Sequence, residues 1–252
     1  MPGIAHQNAH SYNLKDFFVQ ILTSTKRNMS SPYISIVIPT LNEEKNIGPL
    51  MRGIKHVLGE NNYEVIIVDG HSEDETVRIA TSYNASILYD DIGKGSALIK
   101  GLRSARGSIV ISMDADLSHE PKELKLLIAG IEAGYDICMG SRFILGGGSD
   151  DMPLFRKIGN KIFLLMVNTR FHANFSDLCY GYRSFKKGVF GKLNLKEEGF
   201  GIETEINIKA MEKGFKILEV PSMEKKRKFG EGKLRTFRDG YIILKTILKN
   251  SM

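Results

Sequence analysis

Two rhythms of hydrophobic and polar positions divide this chain. From residue 34 onward, short continuous apolar runs alternate with longer stretches of helical period. Residues 34–38 (ISIVI) form a β-branched run, as expected of a strand covered on both faces. Residues 63–68, 85–89, 108–113 and 135–139 repeat that pattern. Between them, 43–58, 73–83 and 94–106 read as helices, and Pro121 opens another at its favoured early position. Strands alternating with helices of this length predict an α/β fold: a doubly wound, mostly parallel central sheet with helices on both faces.

Beyond Arg142 the alternation loosens. Gly146, Gly147 and Gly148 read as a flexible break, 154–168 and 202–213 as helices, and 215–220 as a late strand closed by Pro221. The second half thus extends one sheet rather than building another domain. Residues 1–32 read as an extension in which 12–21 places Leu14, Phe17, Phe18 and Ile21 on one helical face. Residues 33–235 form the domain, and 236–252 a basic, amphipathic C-terminal helix.

Composition narrows the class. Of 252 residues, 42% are hydrophobic and 25% charged, which excludes a disordered chain. No apolar run approaches the roughly 20 residues of a membrane span. The first thirty residues carry His6, His10, Asp16 and Lys26 among short apolar stretches, so no export-signal core is present. The expected compartment is therefore cytoplasmic, with Cys138 and Cys179 as reduced thiols. Residues 222–252 hold nine basic and three acidic residues, which accounts for the whole net charge of +6. A basic end of this kind implies a phosphate-bearing partner. The run Lys225-Lys226-Arg227-Lys228 comes without any nucleic-acid-binding motif, so nucleic acid is not the expected partner.

In open α/β sheets, ligands sit beyond the carboxyl ends of the strands. There the chain carries Asn42-Glu43-Glu44, Asp69-Gly70-His71-Ser72-Glu73-Asp74 and Asp114-Ala115-Asp116. Asn42, Ser72 and Asp74 serve equally well as helix caps. Three acidic clusters on one edge repel each other and call for a cation or sugar hydroxyls between them. Asp114 and Asp116 suit hard ions such as Mg²⁺ or Mn²⁺, which bind through one or two carboxylates plus substrate phosphate. Gly93-Lys94-Gly95 is no Walker loop, but it reads either as a glycine turn or as a lysine and amides near phosphate.

The segments VIPTLNEE (37–44), DGHSEDET (69–76), GKGSAL (93–98), MDADLSHEPKEL (113–124), GSRF (140–143), DLCYGYR (177–183) and EVP (219–221), with Arg227-x-x-GEGKL, occur in one order. Together they resemble the family-two inverting glycosyltransferases with the GT-A fold, and most closely the dolichyl-phosphate or polyprenyl-phosphate mannose synthases. The resemblance covers about residues 34–234. It implies a metal-dependent transfer of a hexose, first mannose from GDP-mannose, to a polyprenyl or dolichyl phosphate. UDP-glucose or another UDP-sugar is the alternative donor, and a non-catalytic nucleotide-sugar-binding subunit the alternative role. It implies donor contacts at Pro39, Leu41, Glu43, Val68, Asp69 and Ala115, and metal and diphosphate at Asp114 and Asp116. Arg142, Arg156 and Asn160 match positions that receive the lipid phosphate. Arg227 and Lys233 match a basic pair on a loop that closes over the donor. Asp114, Asp116 and Arg142 are then the catalytic set. Ser118 stands where some relatives have Gln, Asn160 where Ser is common, and Gly232-Lys233 where Ser-Lys is usual.

A lipid acceptor places the chain on the cytosolic face of a membrane as a peripheral protein. Residues 12–21 and 240–249 are the candidate attachments. Many such relatives carry C-terminal spans and others recruit a separate membrane subunit, so such a subunit is an expected partner.

Overall fold

The computed structural model describes residues 31–150, 152–230 and 236–249. By internal contacts the chain divides into Met1–Ser31 and Pro32–Met252, and the α/β fold is that of the second unit. The amphipathic stretch expected at 12–21 lies outside the described residues.

The first half folds as its periodicity predicts. Strands β1 (Ile34–Thr40), β2 (Tyr63–Asp69), β3 (Ser86–Tyr89) and β4 (Ile109–Ser112) are joined by helices α1 (Glu44–Leu58), α2 (Thr76–Ser82) and α3 (Lys94–Ser104). All four strands run parallel. Alternation along them splits the core into two layers. Ile34, Ile36 and Ile38 of β1 with Val65 and Ile67 of β2 face α1 and its Ile47, Leu50 and Ile54. Val37, Ile66 and Val68 face α3, with its Ala97, Leu98 and Leu102. Helix α2 begins at Thr76 rather than residue 73, and just ahead of it Asp74 Oδ1 accepts the Thr76 N–H at 3.0 Å.

A 3₁₀ turn, Pro121–Glu123, leads into α4 (Leu124–Glu132), and β5 (Ile137–Ser141) follows. Next come β6 (Gly148–Ser149), α5 (Leu154–Phe171), β7 (Arg183–Lys186), α6 (Val189–Leu193), α7 (Ile202–Glu212), β8 (Ile217–Pro221), β9 (Met223–Glu224) and α8 (Thr236–Lys249). The sheet order is β3-β2-β1-β4-β7-β5-β8, so the second half does extend the same sheet. Strand β7 reverses direction and runs antiparallel to both β4 and β5. The sequence hides β7, since its four residues include an arginine. Arg183 is fully buried, and its guanidinium donates to the Tyr180 carbonyl at 2.6 Å, Asn207 Oδ1 at 3.0 Å and the Glu203 carbonyl at 3.3 Å.

The triple glycine is no flexible break. Gly148 and Ser149 pair in parallel with Met223 and Glu224, making a second, two-stranded sheet. A Cβ on Gly147 would lie 2.3 Å from the Ser141 carbonyl oxygen, so only glycine lets the loop fold back that closely. Helix α8 packs against the body through Ile243 and Ile247, which join Val167 of α5 and Ile208 of α7 in a third core.

Candidate functional site

The carboxyl ends of the parallel strands open into a cleft of about 550 Å³. Its walls include Pro39, Leu41 and Glu43 after β1, Asp114, Ala115 and Asp116 after β4, and Arg142 after β5. Helix α5 contributes Arg156 and Asn160, and the segment after β9 contributes Arg227.

The acidic wall is built by one tight bend. Leu117 holds φ 64°, a left-handed conformation unusual for leucine. The bend lets the Ser118 N–H and hydroxyl both donate to Asp116 Oδ1, at 3.0 and 2.6 Å. The other Asp116 oxygen accepts from Arg227 Nη2 at 2.8 Å, while Arg227 Nη1 lies 3.2 Å from Glu43 Oε1. Asn46 completes the latch, with Nδ2 donating to Glu43 Oε2 at 2.6 Å and to the Phe229 carbonyl at 3.3 Å. Asp114 pairs instead with Lys94, whose Nζ lies 3.0 Å from Oδ1 and also 3.0 Å from Glu203 Oε1. Burial alone would raise the Asp114 pKa, but the Lys94 ammonium overrides it and holds the carboxyl down at about 2. Both carboxylates therefore meet an internal cation.

His119 fixes the same bend from within. The Asp114 N–H donates to its Nδ1 at 3.0 Å, which puts the imidazole proton on Nε2. The buried ring stacks on Tyr182 at 4.7 Å and meets Tyr180 edge-on at 4.8 Å. Burial pushes its pKa below the usual value, against the opposing pull of Asp114 and Asp116.

Across the cleft, Tyr180 carries the Arg142 guanidinium over its ring at 4.8 Å. Arg142 is paired before any ligand arrives: Nε and Nη2 donate to the two oxygens of Asp177 at 2.6 and 2.9 Å. Its Nη1 reaches Glu224 at 3.1 Å. Glu219 props the turn below by accepting the Ser176 and Asp177 N–H groups at 3.0 and 3.2 Å. Asn160 is buried on the same wall, and neither its Nδ2 nor its Oδ1 has a hydrogen-bond partner among the described residues.

Most residues expected from the sequence thus line one cleft, but three expectations change. Val68 and Asp69 do not line it. Val68 packs under α3, and Asp69 is buried with its oxygens taken by the Thr40 hydroxyl at 2.8 Å and by the Ser72 hydroxyl and N–H at 2.6 and 2.7 Å. The α3 N-terminus is not open to phosphate either, because the Gly95 and Ser96 N–H groups donate to the Glu198 carbonyl. A Cβ on Gly95 would sit 2.3 Å from the Glu197 carbonyl oxygen, which is how α3 approaches so closely. Lys233 lies outside the described residues. Sequence reasoning missed Glu203, Asp177 and Glu224 as the carboxylates that hold Lys94 and Arg142. Asp177 stands in DLCYGYR, Glu203 in α7 and Glu224 in β9, each far along the chain from its basic partner, so spacing alone gives no signal of the pairing.

Residues 35–193 match the family model for glycosyl transferase family 2. The chain is 34% identical over 210 residues to a dolichol-phosphate mannosyltransferase of Pyrococcus furiosus, covering 80% of this chain and 59% of that one. It is 27% identical to a polyprenol monophosphomannose synthase of Mycolicibacterium smegmatis, over 79% of this chain and 80% of that one. It is 30% identical to a low-salt glycan biosynthesis hexosyltransferase of Haloferax volcanii, over 88% of this chain and 54% of that one. The chain thus spans little more than half the length of the Pyrococcus and Haloferax relatives. Among solved structures, glucosyl-3-phosphoglycerate synthase from Mycobacterium tuberculosis, in complex with Mn²⁺, UDP and glucosyl-3-phosphoglycerate, superposes with a TM-score of 0.70. At 17% identity over 98% of this chain and 86% of that one, it shares the fold.

Two outcomes are expected from these contacts. Arg142→Ala leaves the fully buried Asp177 without its cation and lowers stability by about 3–5 kcal/mol in urea unfolding, whereas the double variant with Asp177→Ala recovers part of that loss. His119 has a folded pKa below its unfolded value near 6.5. The unfolded chain therefore takes up its proton first, and stability is complete above pH 6.5 and falls as the pH drops toward the folded pKa. His119→Gln keeps an acceptor for the Asp114 N–H and removes up to about 1.4 kcal/mol per pH unit from that slope, as read by urea unfolding across the window.

Proposed function

This chain belongs to glycosyl transferase family 2, and from that premise we propose that it transfers a hexose, first mannose from GDP-mannose, to a polyprenyl or dolichyl phosphate. The names of its Pyrococcus and Mycolicibacterium relatives support the acceptor class and the sugar. The observation that carries the reading is the pairing of two opposed walls in one cleft. One is acidic and latched by cations; the other offers Arg142, Arg156 and a buried amide, Asn160, with no partner among the described residues. An unsatisfied buried amide is costly unless a ligand completes it.

A divalent ion, Mg²⁺ or Mn²⁺, fits the acidic wall. Asp114 and Asp116 are hard oxygen donors, and Arg227 and Lys94 already stand there as cations. Among the described residues no third His, Cys, Asp or Glu completes a cluster, so the remaining ligands would come from the diphosphate and water. When bound, the ion neutralises charge developing on the leaving nucleoside diphosphate.

The chain's own residues do the rest. Pro39, Leu41, Glu43 and Ala115 hold the nucleoside side of the donor. Asn160 and Arg156 receive the acceptor phosphate, with Arg142 behind them as a cation kept in place by Asp177. A phosphate monoester is already an anionic nucleophile, so its oxygen attacks C1 as the C1–O bond to the diphosphate breaks, inverting the centre without a protein base. Arg227 leaves Asp116 for the diphosphate, and Lys233 joins it. Attachment on the cytosolic face of a membrane, with or without a separate membrane subunit, belongs to the same reading.

The test incubates the protein with Mn²⁺, a short polyprenyl phosphate and either GDP-mannose or UDP-glucose, and reads the lipid fraction by mass spectrometry. A hexosyl-phospholipid from GDP-mannose is expected, and none from Asp116→Ala with Mn²⁺ or Mg²⁺. Product from UDP-glucose alone reassigns the donor, and turnover by Asp116→Ala removes the metal role of that carboxylate.

A further inference from the structure

Among the described residues, every carboxylate lining the cleft but one is engaged by a neighbour. Glu43 and Asp116 hold Arg227, Asp114 and Glu203 hold Lys94, and Glu224 holds Arg142. Asp90 accepts the Ile92 N–H at 3.2 Å and the Ser96 hydroxyl at 3.0 Å. Asp91 is the exception. It is exposed on the rim between β3 and α3, with no hydrogen bond or ion pair within the described residues. A bare anion beside a site for a nucleoside diphosphate repels that ligand, unless the ligand brings it hydrogen-bond donors.

The chain around Asp91 is held on both sides. The Asp90 N–H donates to the Asp69 carbonyl at 2.9 Å, where β2 ends, and the Asp90 carboxylate ties the turn to Ser96 of α3. His71 stacks on Tyr89 at 5.2 Å, joining the ends of β2 and β3. A Cβ on Gly70 would lie 3.5 Å from Leu41 Cδ1 and 3.6 Å from the Asp90 carbonyl oxygen, so β1, β2 and this turn converge on that glycine. An apolar side chain, a bare stretch of backbone and an unpaired carboxylate thus stand together at one end of the cleft. That set suits the flat face and N–H edge of a heterocycle, because a carboxylate accepts N–H donors and rejects phosphate and carbonyl oxygens. Its two oxygens match two adjacent N–H donors. Guanine presents such a pair, N1–H and the exocyclic N2–H. Uracil presents a single N–H between two carbonyl oxygens, which would face the carboxylate lone pair to lone pair.

We propose that Asp91 selects the base of the donor: its two oxygens accept guanine N1–H and N2–H, and its charge turns uracil away. That a nucleoside diphosphate enters the cleft at all rests on the function proposed above. Asp91 then sets specificity without touching the reacting atoms. A site built to pair with a base edge discriminates strongly, because the wrong base leaves its polar groups unpaired.

The experiment titrates the full chain and Asp91→Asn with GDP, UDP and xanthosine diphosphate in the presence of Mn²⁺, read by calorimetry. Asp91 is exposed and makes no contact that the substitution would break, so the fold is retained; circular dichroism checks it. Xanthine carries a carbonyl where guanine carries the exocyclic amine, and an asparagine amide complements that edge with one acceptor and one donor. The unmodified chain is expected to prefer GDP to UDP by at least about tenfold. In Asp91→Asn, GDP binding weakens about 10- to 100-fold, xanthosine diphosphate binding tightens, and UDP binding is not weakened. A merely structural role for Asp91 would weaken all three nucleotides together, and that result overturns the proposal. So does a preference for GDP that Asp91→Asn leaves unchanged, in which case the GDP-linked donor stands and Asp91 does not read it. An unmodified chain that binds UDP as tightly as GDP removes both the donor assignment and the proposal. If the switch to xanthosine diphosphate is found but no sugar reaches a polyprenyl phosphate, the transfer reading falls and the base selection stands.

Discussion

Carboxylates gathered at one edge of the sheet set the constraint on which the rest of this structure depends. Parallel strands deliver Glu43, Asp114 and Asp116 to the same place, and carboxylates so close together in a partly dry cleft are costly unless cations lie between them. The chain supplies those cations itself. Lys94 sits between Asp114 and Glu203, and Arg227 bridges Asp116 and Glu43. Arg227 belongs to a segment tied to α1 by the Asn46 hydrogen bond to Phe229. Lys94 starts a helix pinned by the Glu198 carbonyl, so it stays.

The opposite wall obeys the same rule with the signs reversed. Arg142 is buried, so it is paired with Asp177 and Glu224, and those carboxylates are positioned by structure of their own. Glu219 supports the turn that carries Asp177, and the two-stranded sheet of β6 and β9 carries Glu224. Between the walls runs a continuous stack: Arg142 on Tyr180, Tyr180 against His119, His119 on Tyr182. His119 also accepts the Asp114 N–H, so packed rings connect one wall to the other.

The same physics decides how much of the molecule was legible in its sequence. Strands β1 to β4 are read from continuous β-branched runs because both faces are covered, and the acidic strand ends are read because ligands bind there. Strand β7 was illegible, since Arg183 is polar by type and buried only through partners contributed by distant residues. The glycine run at 146–148 reads as freedom but is used for close approach. Arg142 was legible as a cleft residue. That its charge is already neutralised was not, because Asp177 and Glu224 are brought to it by the reversal at β7 and by the small second sheet.

In the function proposed above, Arg227 holds the Asp116 oxygen that a metal ion would take, so the two cations would exchange there. The most direct test of that exchange is the affinity for Mn²⁺ in the absence of nucleotide, measured by electron paramagnetic resonance on the unmodified chain and on Arg227→Gln. Removing a charge-assisted contact that the ion must displace should tighten Mn²⁺ binding by about tenfold. An affinity that is unchanged or weaker in Arg227→Gln would contradict the exchange.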